Sequence, residues 1–347
     1  MSDLIRATRQ GLYCATGDFY IDPWRPVEHA VITHGHADHA RPGSEHYYTI
    51  HSGSAILRKR LGQKIRLREL AYGETLAFNN VTVSLHPAGH ILGSAQVRIE
   101  HDNEVWVVSG DYKRDPDLTC EPFEVVPCDT FITEATFALP VYQWQSPTDV
   151  VADILAWWQD NAAQGKPSVL FCYALGKAQR VLAELHRLTS DPGPIILHGA
   201  LAPLVEIYRQ AGIALPPTSR VSESHKSDYD QALIMAPPSA AGSTWMKRFR
   251  GAATGFCSGW MRIRGNRRRR GYDRGFVISD HADWHGLINT IRETGATQVL
   301  TTHGRGNDLA HYLEDIGIHA STLQTEYGDT NAETEYEQTT EDHGERA

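Results

Sequence analysis

Cysteine is scarce in this chain of 347 residues. There are five, Cys14, Cys120, Cys128, Cys172 and Cys257, an odd number with no C-x-x-C pair. That argues against a disulfide framework and a thiolate zinc site, and it suits a reducing cytoplasm. Long apolar runs are missing too. No stretch approaches the roughly 20 residues of a membrane span, so no membrane partner is expected, and the opening "MSDLIRATRQGLYCATGD" lacks the apolar core of a signal peptide. An overall basic charge is also absent, since the net charge is −9. Most of it sits at one end. Residues 326–347 hold eight acidic residues and one arginine, a net of −7, so the body is near −2. Contact with a polyanion is then left to local clusters. The clearest is "RIRGNRRRRGYDR" at residues 262–274, for which a solvated loop is the competing reading.

Histidine, by contrast, is plentiful at 18 residues, and it is the commonest metal ligand. Three of the 18 fall in "VITHGHADHARPG", residues 31–43, where His34, His36, Asp38 and His39 follow a short apolar strand. His34 and His36 are two apart and share a direction on an extended chain. Asp38 and His39 can turn toward a second point. A lone strand histidine is more often a core residue, but H-x-H-x-D-H offers more donors than one tetrahedral zinc requires. Later strand ends repeat the theme. "HPAGHILGSAQ" carries His90 in a glycine-flanked loop, and "VVSGDYKRD" carries Asp111.

The rhythm of the chain changes twice. To about residue 140 it reads as short strands and loops, with "VTVSLH" and "AQVRIE" alternating and "TFITEATF" ending near Glu134. From Pro147 it alternates helix and strand through "PSVLFCYA", "LGKAQRVLAELHRL" and "GPIILHG", the order of a parallel sheet covered by helices. After about residue 275, "GFVISDHADWHGL" and "TQVLTTHGRGNDL" each place a histidine, His281 and His303, just beyond a strand. Residues past about 325 are acidic and aperiodic and read as a disordered tail.

H-x-H-x-D-H, then G-H-x-x-G-S, then S-G-D resembles the metallo-β-lactamase fold. "TEATF", "FCYALGKAQRVLAEL", "ISDHADWHGL" and "LTTHGRGND" are similar to the motifs of its β-CASP nucleases, over most of residues 10–320. Within that family the compact chain most resembles the bacterial DNA ligase-associated exonucleases. The resemblance implies an α/β fold, a metallo-β-lactamase αββα sandwich with an inserted β-CASP α/β domain. Its parts would be residues 1–146 and 261–325 for the metallo-β-lactamase domain, 147–260 for the insertion, and 326–347 for the tail. It implies that His34, His36 and His90 bind one metal, that Asp38, His39 and His303 bind a second, and that Asp111 bridges them. Glu134 and His281 would form a hydrogen-bonded pair beside the metals, with Asp38 counted alongside them as catalytic. The eukaryotic DNA-repair branch lacks a histidine at the last motif. His303 is present here, as in the RNA-processing branch, which favours a full second site and leaves both DNA and RNA open as substrates.

Histidine and carboxylate donors without thiolate suit two zinc ions, with manganese the alternative. Such a pair supports phosphodiester hydrolysis with His281 as proton donor to the leaving sugar oxygen. The expected function is a DNA exonuclease in end processing and repair. The alternatives are a β-CASP ribonuclease and a hydrolase of thioesters or lactams. A DNA ligase and a helicase are partners the family resemblance suggests. Arg262, Arg264, Arg267, Arg268, Arg269 and Arg270 are candidate phosphate contacts. Trp260 and the aromatics of "WMKRFR" and "AWW" are candidates for base stacking, with core packing the stronger reading for Trp157 and Trp158. Asp280 and Asp283 flank His281, and capping of the next helix is the stronger reading for them.

Overall fold

The computed structural model describes residues 3–263 and 271–325. Arg264, Arg267, Arg268, Arg269, Arg270 and the acidic tail lie outside the described residues. The chain divides into two compact units. One runs to Gln143 and resumes at His281; the other is Trp144–Asp280.

The first unit begins with six strands, β1 (Ile5–Ala7), β2 (Leu12–Cys14), β3 (Phe19–Ile21), β4 (His29–Val31), β5 (His46–Ile50) and β6 (Leu67–Leu70), which form one sheet in that order. Pairing is antiparallel up to β3 and parallel from there on. Helix α1 (Ser54–Leu61) lies before β6, where the sequence suggested only strands and loops. It is short, and only Ser54, Ile56 and Leu57 are buried, so its apolar pattern is thin. The meander β7 (Thr75–Phe78), β8 (Val81–Pro87), β9 (Ala95–His101) and β10 (Glu104–Val108) opens a second sheet, and β11 (Thr130–Glu134) joins β10 in parallel.

Alternation decides the faces. Val81, Val83 and Leu85 of β8 and Val97 and Ile99 of β9 pack with Phe19, Ile21, Val31 and Ile50 of the first sheet, making the core between the sheets. Each such side chain contributes about 1.5–3 kcal/mol of apolar burial. Leu57 of α1 packs with Ala30, Ile32 and Tyr47 on the outer face of the first sheet.

The second unit is built on helix α2 (Pro147–Ala163), β12 (Ser168–Phe171), α3 (Lys177–Leu188), β13 (Ile195–Leu197), α4 (Ala202–Gln210), β14 (Ser219–Arg220), β15 (Leu233–Ala236), β16 (Ala253–Cys257) and β17 (Arg274–Phe276). Its sheet order is β14-β13-β15-β12-β16-β17, and every pair is parallel. Buried strands such as β12 and β15 are continuous apolar runs, as a sheet covered on both faces requires. Helices α2, α3 and α4 cover one face through residues such as Ile154, Val181 and Val205. Trp157 and Trp158 are buried there, and Trp158 Nε1 donates to Gln231 O at 2.9 Å, so this aromatic pair is core. The expected return to the first domain at residue 261 comes at His281 instead. The cause is β17, whose backbone pairs with β16 and extends the second unit's sheet.

The first unit then resumes with α5 (Trp284–Thr294), β18 (Gln298–Thr302), α6 (Gly306–Asp315) and β19 (Ala320–Thr322). Asp283 caps α5, accepting from Gly286 N at 2.8 Å, and Gly295 ends it in the left-handed region at φ 68°. The second sheet is completed as β19-β18-β11-β10-β9-β8-β7. Leu287, Ile291, Leu309 and Leu313 pack on Val107, Phe131 and Val299, its outer face. The result is helix, sheet, sheet, helix, the four layers that the resemblance implied. Among the described residues no helix is long and apolar enough to cross a membrane.

Candidate metal centre

All the metal-ligating and catalytic candidates read from the sequence fall in the first unit, and all but His281 lie at or just past the ends of its strands. His34, His36, Asp38 and His39 follow β4, His90 follows β8, Asp111 follows β10, Glu134 ends β11, and His303 follows β18. Parallel and meander connections carry these ends to one edge of the sandwich, where the chain must turn and side chains are free to converge.

Close backbone approaches seat the loops. Gly110 has φ 57°, and a Cβ there would lie 2.7 Å from Thr33 Cβ, so only glycine lets Asp111 come this near the β4 loop. Gly93 has φ 72°, and its Cβ would lie 2.2 Å from Gly53 N. Ser94 Oγ accepts from His90 N at 3.0 Å and from Ile91 N at 3.2 Å, which closes the His90 loop. Arg60 Nε donates to Gly35 O at 2.7 Å and steadies the first loop from α1.

The donors converge. His36 Nδ1 lies 3.0 Å from His34 Nε2 and 3.1 Å from His90 Nε2. Asp111 Oδ2 lies 3.5 Å from His34 Nε2, 3.5 Å from His39 Nε2 and 3.7 Å from His90 Nε2. It thus stands between the two expected ligand sets. His34, His36, His90 and Asp111 each offer an atom within 4.8 Å of the others, as do Asp111, Glu134 and His281. Asp38, His39 and His303 belong to neither of these groups, though Asp38 Oδ2 is 3.5 Å from His39 Nε2 and the His39 and His303 rings stack at 5.4 Å. His303 has φ 55°, a strained position for a side chain of this size, and its Nδ1 is 2.9 Å from Thr302 Oγ1.

Charge is distributed to match. Burial pushes the His34 imidazole well below its ordinary range, and the neighbouring His39 adds to this. Burial and His39 also lower His303. Burial opposes charge on His39 as well, yet Asp111, Asp38 and Asp22 around it hold its pKa well above the usual value. Asp111 is the reverse case: burial works against it, and His39 and His281 hold its carboxyl well below the usual range. Neutral imidazole and ionised carboxylate are the ligating forms, which His34, His303 and Asp111 favour, whereas His39 would have to give up its proton to a cation. With His36 Nδ1 about 3 Å from both His34 Nε2 and His90 Nε2, the three ring nitrogens cannot all be satisfied by shared protons, and a divalent cation suits the donor set. The residues present therefore fit a metal.

Glu134 and His281 meet as expected. Glu134 Oε2 is 2.9 Å from His281 Nδ1, while Oε1 accepts from Tyr112 N at 2.8 Å. Glu134 is buried and His281 partly buried. Asp280 is tied within the second unit by Lys177, whose Nζ donates to its Oδ2 at 2.8 Å, and Asp283 is the cap of α5. Arg262 is exposed in the second unit.

One residue escaped the sequence reading. Asp22, just past β3, is buried and has φ 44°. Its Oδ2 is 2.7 Å from His39 Nδ1 and accepts from Thr33 Oγ1 at 2.6 Å, while Oδ1 accepts from Thr33 N at 2.8 Å. It holds the ring of His39 from behind, as the outer carboxylate of a ligating histidine commonly does. The signal was available, since Asp22 ends a strand "FYID" just as Asp111 follows one.

No family model matches the chain. It is 31% identical over 312 residues to a probable DNA ligase of Opitutus terrae, a match over 89% of this chain and 30% of that protein. It is 26% identical over 128 residues to an endoribonuclease YSH1 of Eremothecium gossypii, 36% of this chain and 16% of the relative. It is 29% identical over 131 residues to a ribonuclease of Thermus thermophilus, 36% of this chain and 30% of that one. The chain thus spans less than a third of the length of these curated relatives. A crystal structure of a protein of unknown function from Enterococcus faecalis superposes with a TM-score of 0.56 at 12% identity, covering 86% of this chain and 79% of that one, a likeness of fold.

Proposed function

The chain belongs to the β-CASP nucleases of the metallo-β-lactamase fold, and from that premise we propose that it is a metal-dependent nuclease hydrolysing phosphodiester bonds, acting as an exonuclease on DNA ends. The observation that carries this reading is the convergence of His34, His36, His90 and Asp111 within 4.8 Å, with the Glu134–His281 pair closing on the same Asp111. His34, His36 and His90 would hold one cation and Asp38, His39 and His303 a second, with Asp111 shared. Zinc suits these donors, and manganese is the alternative. When bound, the metals supply an activated water and neutralise charge on the phosphate.

The protein's own groups do the rest. Tyr112 N fixes one oxygen of Glu134, so the other is aimed at His281 Nδ1. That bond holds the ring in one orientation. Nε2 then gives a proton to the departing sugar oxygen as the P–O bond breaks, and Glu134 stabilises the imidazolium before transfer. The buried His34 and His90 rings and the buried Glu134 carboxylate exclude water behind the reacting phosphate. The Glu134–His281 pair also weighs against a thioesterase or lactamase reading.

DNA is favoured because the relative named a probable DNA ligase matches along 89% of the chain. The same match supports association with a ligase, and a helicase is the further partner proposed. RNA is the second reading, on the relatives named as ribonucleases and on His303 beside His39. A reducing cytoplasm suits five cysteines of which none is in a disulfide among the described residues. The test is degradation of matched DNA and RNA strands, labelled separately at the 5′ and 3′ ends, with zinc, manganese or chelator. Metal-dependent loss of DNA ends that disappears in His281→Ala is the expected result. Equal or faster RNA cleavage would transfer the reading to RNA, and no cleavage of either strand with any metal would end it.

A further inference from the structure

In the second unit the chain crosses from β15 to β16 without an α-helix. Residues 237–252 pass over the face of the sheet opposite α2, α3 and α4, in short turns that include a 3-10 turn at Thr244–Arg248. Pro237, Pro238, Gly242 and Gly251 interrupt any longer helix. The crossing is anchored by Phe249, which is 3% exposed and packs edge-on against Tyr229 at 4.8 Å. Its neighbours point the other way. Lys247, Arg248 and Arg250 are exposed, and Trp245 and Met246 are half-buried.

Trp245 is the unusual member. It is gripped edge-on by Phe249 and by His198, each at 4.8 Å, yet remains partly open to solvent. Trp260, on the following 3-10 turn Gly259–Arg262, is half-buried against the same cluster, and Arg262 beyond it is exposed. From Gln231 to Ile263 the chain carries Lys247, Arg248, Arg250 and Arg262 and no acidic residue, within a protein of net charge −9. Three flanking carboxylates accept local backbone hydrogen bonds, and Asp230 is exposed. Asp228 accepts from His225 N at 3.0 Å, Glu223 from Arg220 N at 3.0 Å, and Asp273 from Thr254 N at 2.8 Å.

The geometry points to this face as a docking surface for a single-stranded nucleic acid, with Trp245 as a pre-positioned base-stacking platform and Lys247, Arg248 and Arg250 as phosphate contacts. A fixed aromatic flanked by cations is the sequence-tolerant recipe for single strands, because every base has a π-face and the backbone supplies the charge. A duplex keeps its bases stacked inside and offers Trp245 nothing to stack on. The inference rests on the nuclease reading for its substrate class, but binding tests it without any cleavage.

The experiment is fluorescence anisotropy of an oligothymidylate about 15 nucleotides long, titrated with the full chain in chelator at several salt concentrations. Trp245→Ala should weaken binding by about tenfold or more, and Trp245→Phe should recover part of it. A Lys247→Gln, Arg248→Gln, Arg250→Gln triple variant should weaken binding of all sequences alike and reduce the salt slope by about 2, at roughly 0.7 per lost contact. Lys247, Arg248 and Arg250 are exposed, so the triple variant decides the matter should Trp245→Ala fail to fold. Wild-type affinity and slope in the triple variant, or equal weakening of duplex by Trp245→Ala, overturns the proposal. Loss of binding in these variants of a chain that cleaves nothing would sink the nuclease reading and leave this surface standing.

Discussion

In the first unit the buried His34, His39, His90, Asp111 and Glu134 come from the ends of four strands and face one another. In the second, the buried Lys177 and Asp280 meet as a closed pair at 2.8 Å, with Arg180 Nε 3.6 Å from the other carboxylate oxygen. The two arrangements solve different problems. Lys177 and Asp280 neutralise each other, while Arg180 donates to Ser279 O at 2.9 Å and holds the chain just before residue 280. The first cluster holds imidazoles against one shared carboxylate, an excess of donors over protons. A closed pair serves the fold, and an open donor set can hold a ligand.

Removing the shared carboxylate should break the comparison most. In Asp111→Ala, cleavage is expected to fall to background and metal affinity to drop by more than the roughly 10–100-fold that follows loss of an outer partner. Amides of β12 and β15 should keep their hydrogen-exchange protection, because nothing in the second unit's sheet depends on Asp111. Cleavage surviving in a contaminant-free preparation would remove Asp111 from the centre.

Lys177→Met should come next, and act on stability instead. It leaves the buried Asp280 without its Lys177 partner, and the lower part of the roughly 3–5 kcal/mol range for a broken buried pair is expected in denaturant titration. Adding Asp280→Leu should recover most of it, since an apolar replacement of both partners is often neutral. Metal bound per folded molecule should stay the same. A single variant as stable as the wild type would show that the pair is not what holds this part of the second unit.

Asp22→Asn is the mildest and the most discriminating. The substitution keeps the shape but removes the charge behind His39, so zinc affinity measured by competition should weaken by about 10–100-fold with little loss of stability. Unchanged affinity would reduce Asp22 to a loop-closing residue bonded to Thr33.

Much of this centre was legible because its parts are local. H-x-H-x-D-H needs no tertiary structure to look like a ligand cluster, and His90 and Asp111 stand out as polar residues just past apolar strands. The pairing of Glu134 with His281 came from family resemblance, since 147 residues separate them. Asp22 was passed over because a single aspartate after a strand is also an ordinary turn residue, and only the 2.7 Å approach to His39 distinguishes it. The second unit's parallel sheet followed from its helix–strand alternation, but its end did not. Strand β17 reads like the next strand of the first unit until its pairing with β16 is seen.

What the sequence determined by itself was the list of chemically capable residues and the period of each element, because both depend on neighbours along the chain. Alternation chose the faces of β8 and β9, and the spacing of Val150, Ile154, Trp157 and Trp158 chose the buried side of α2. Tertiary structure alone decided which strand ends share an edge, that Asp111 stands between two sets of histidines, and that Lys177 meets Asp280 across 103 residues. Those meetings are set by sheet order and by packing between layers, and no periodicity within one strand carries that information.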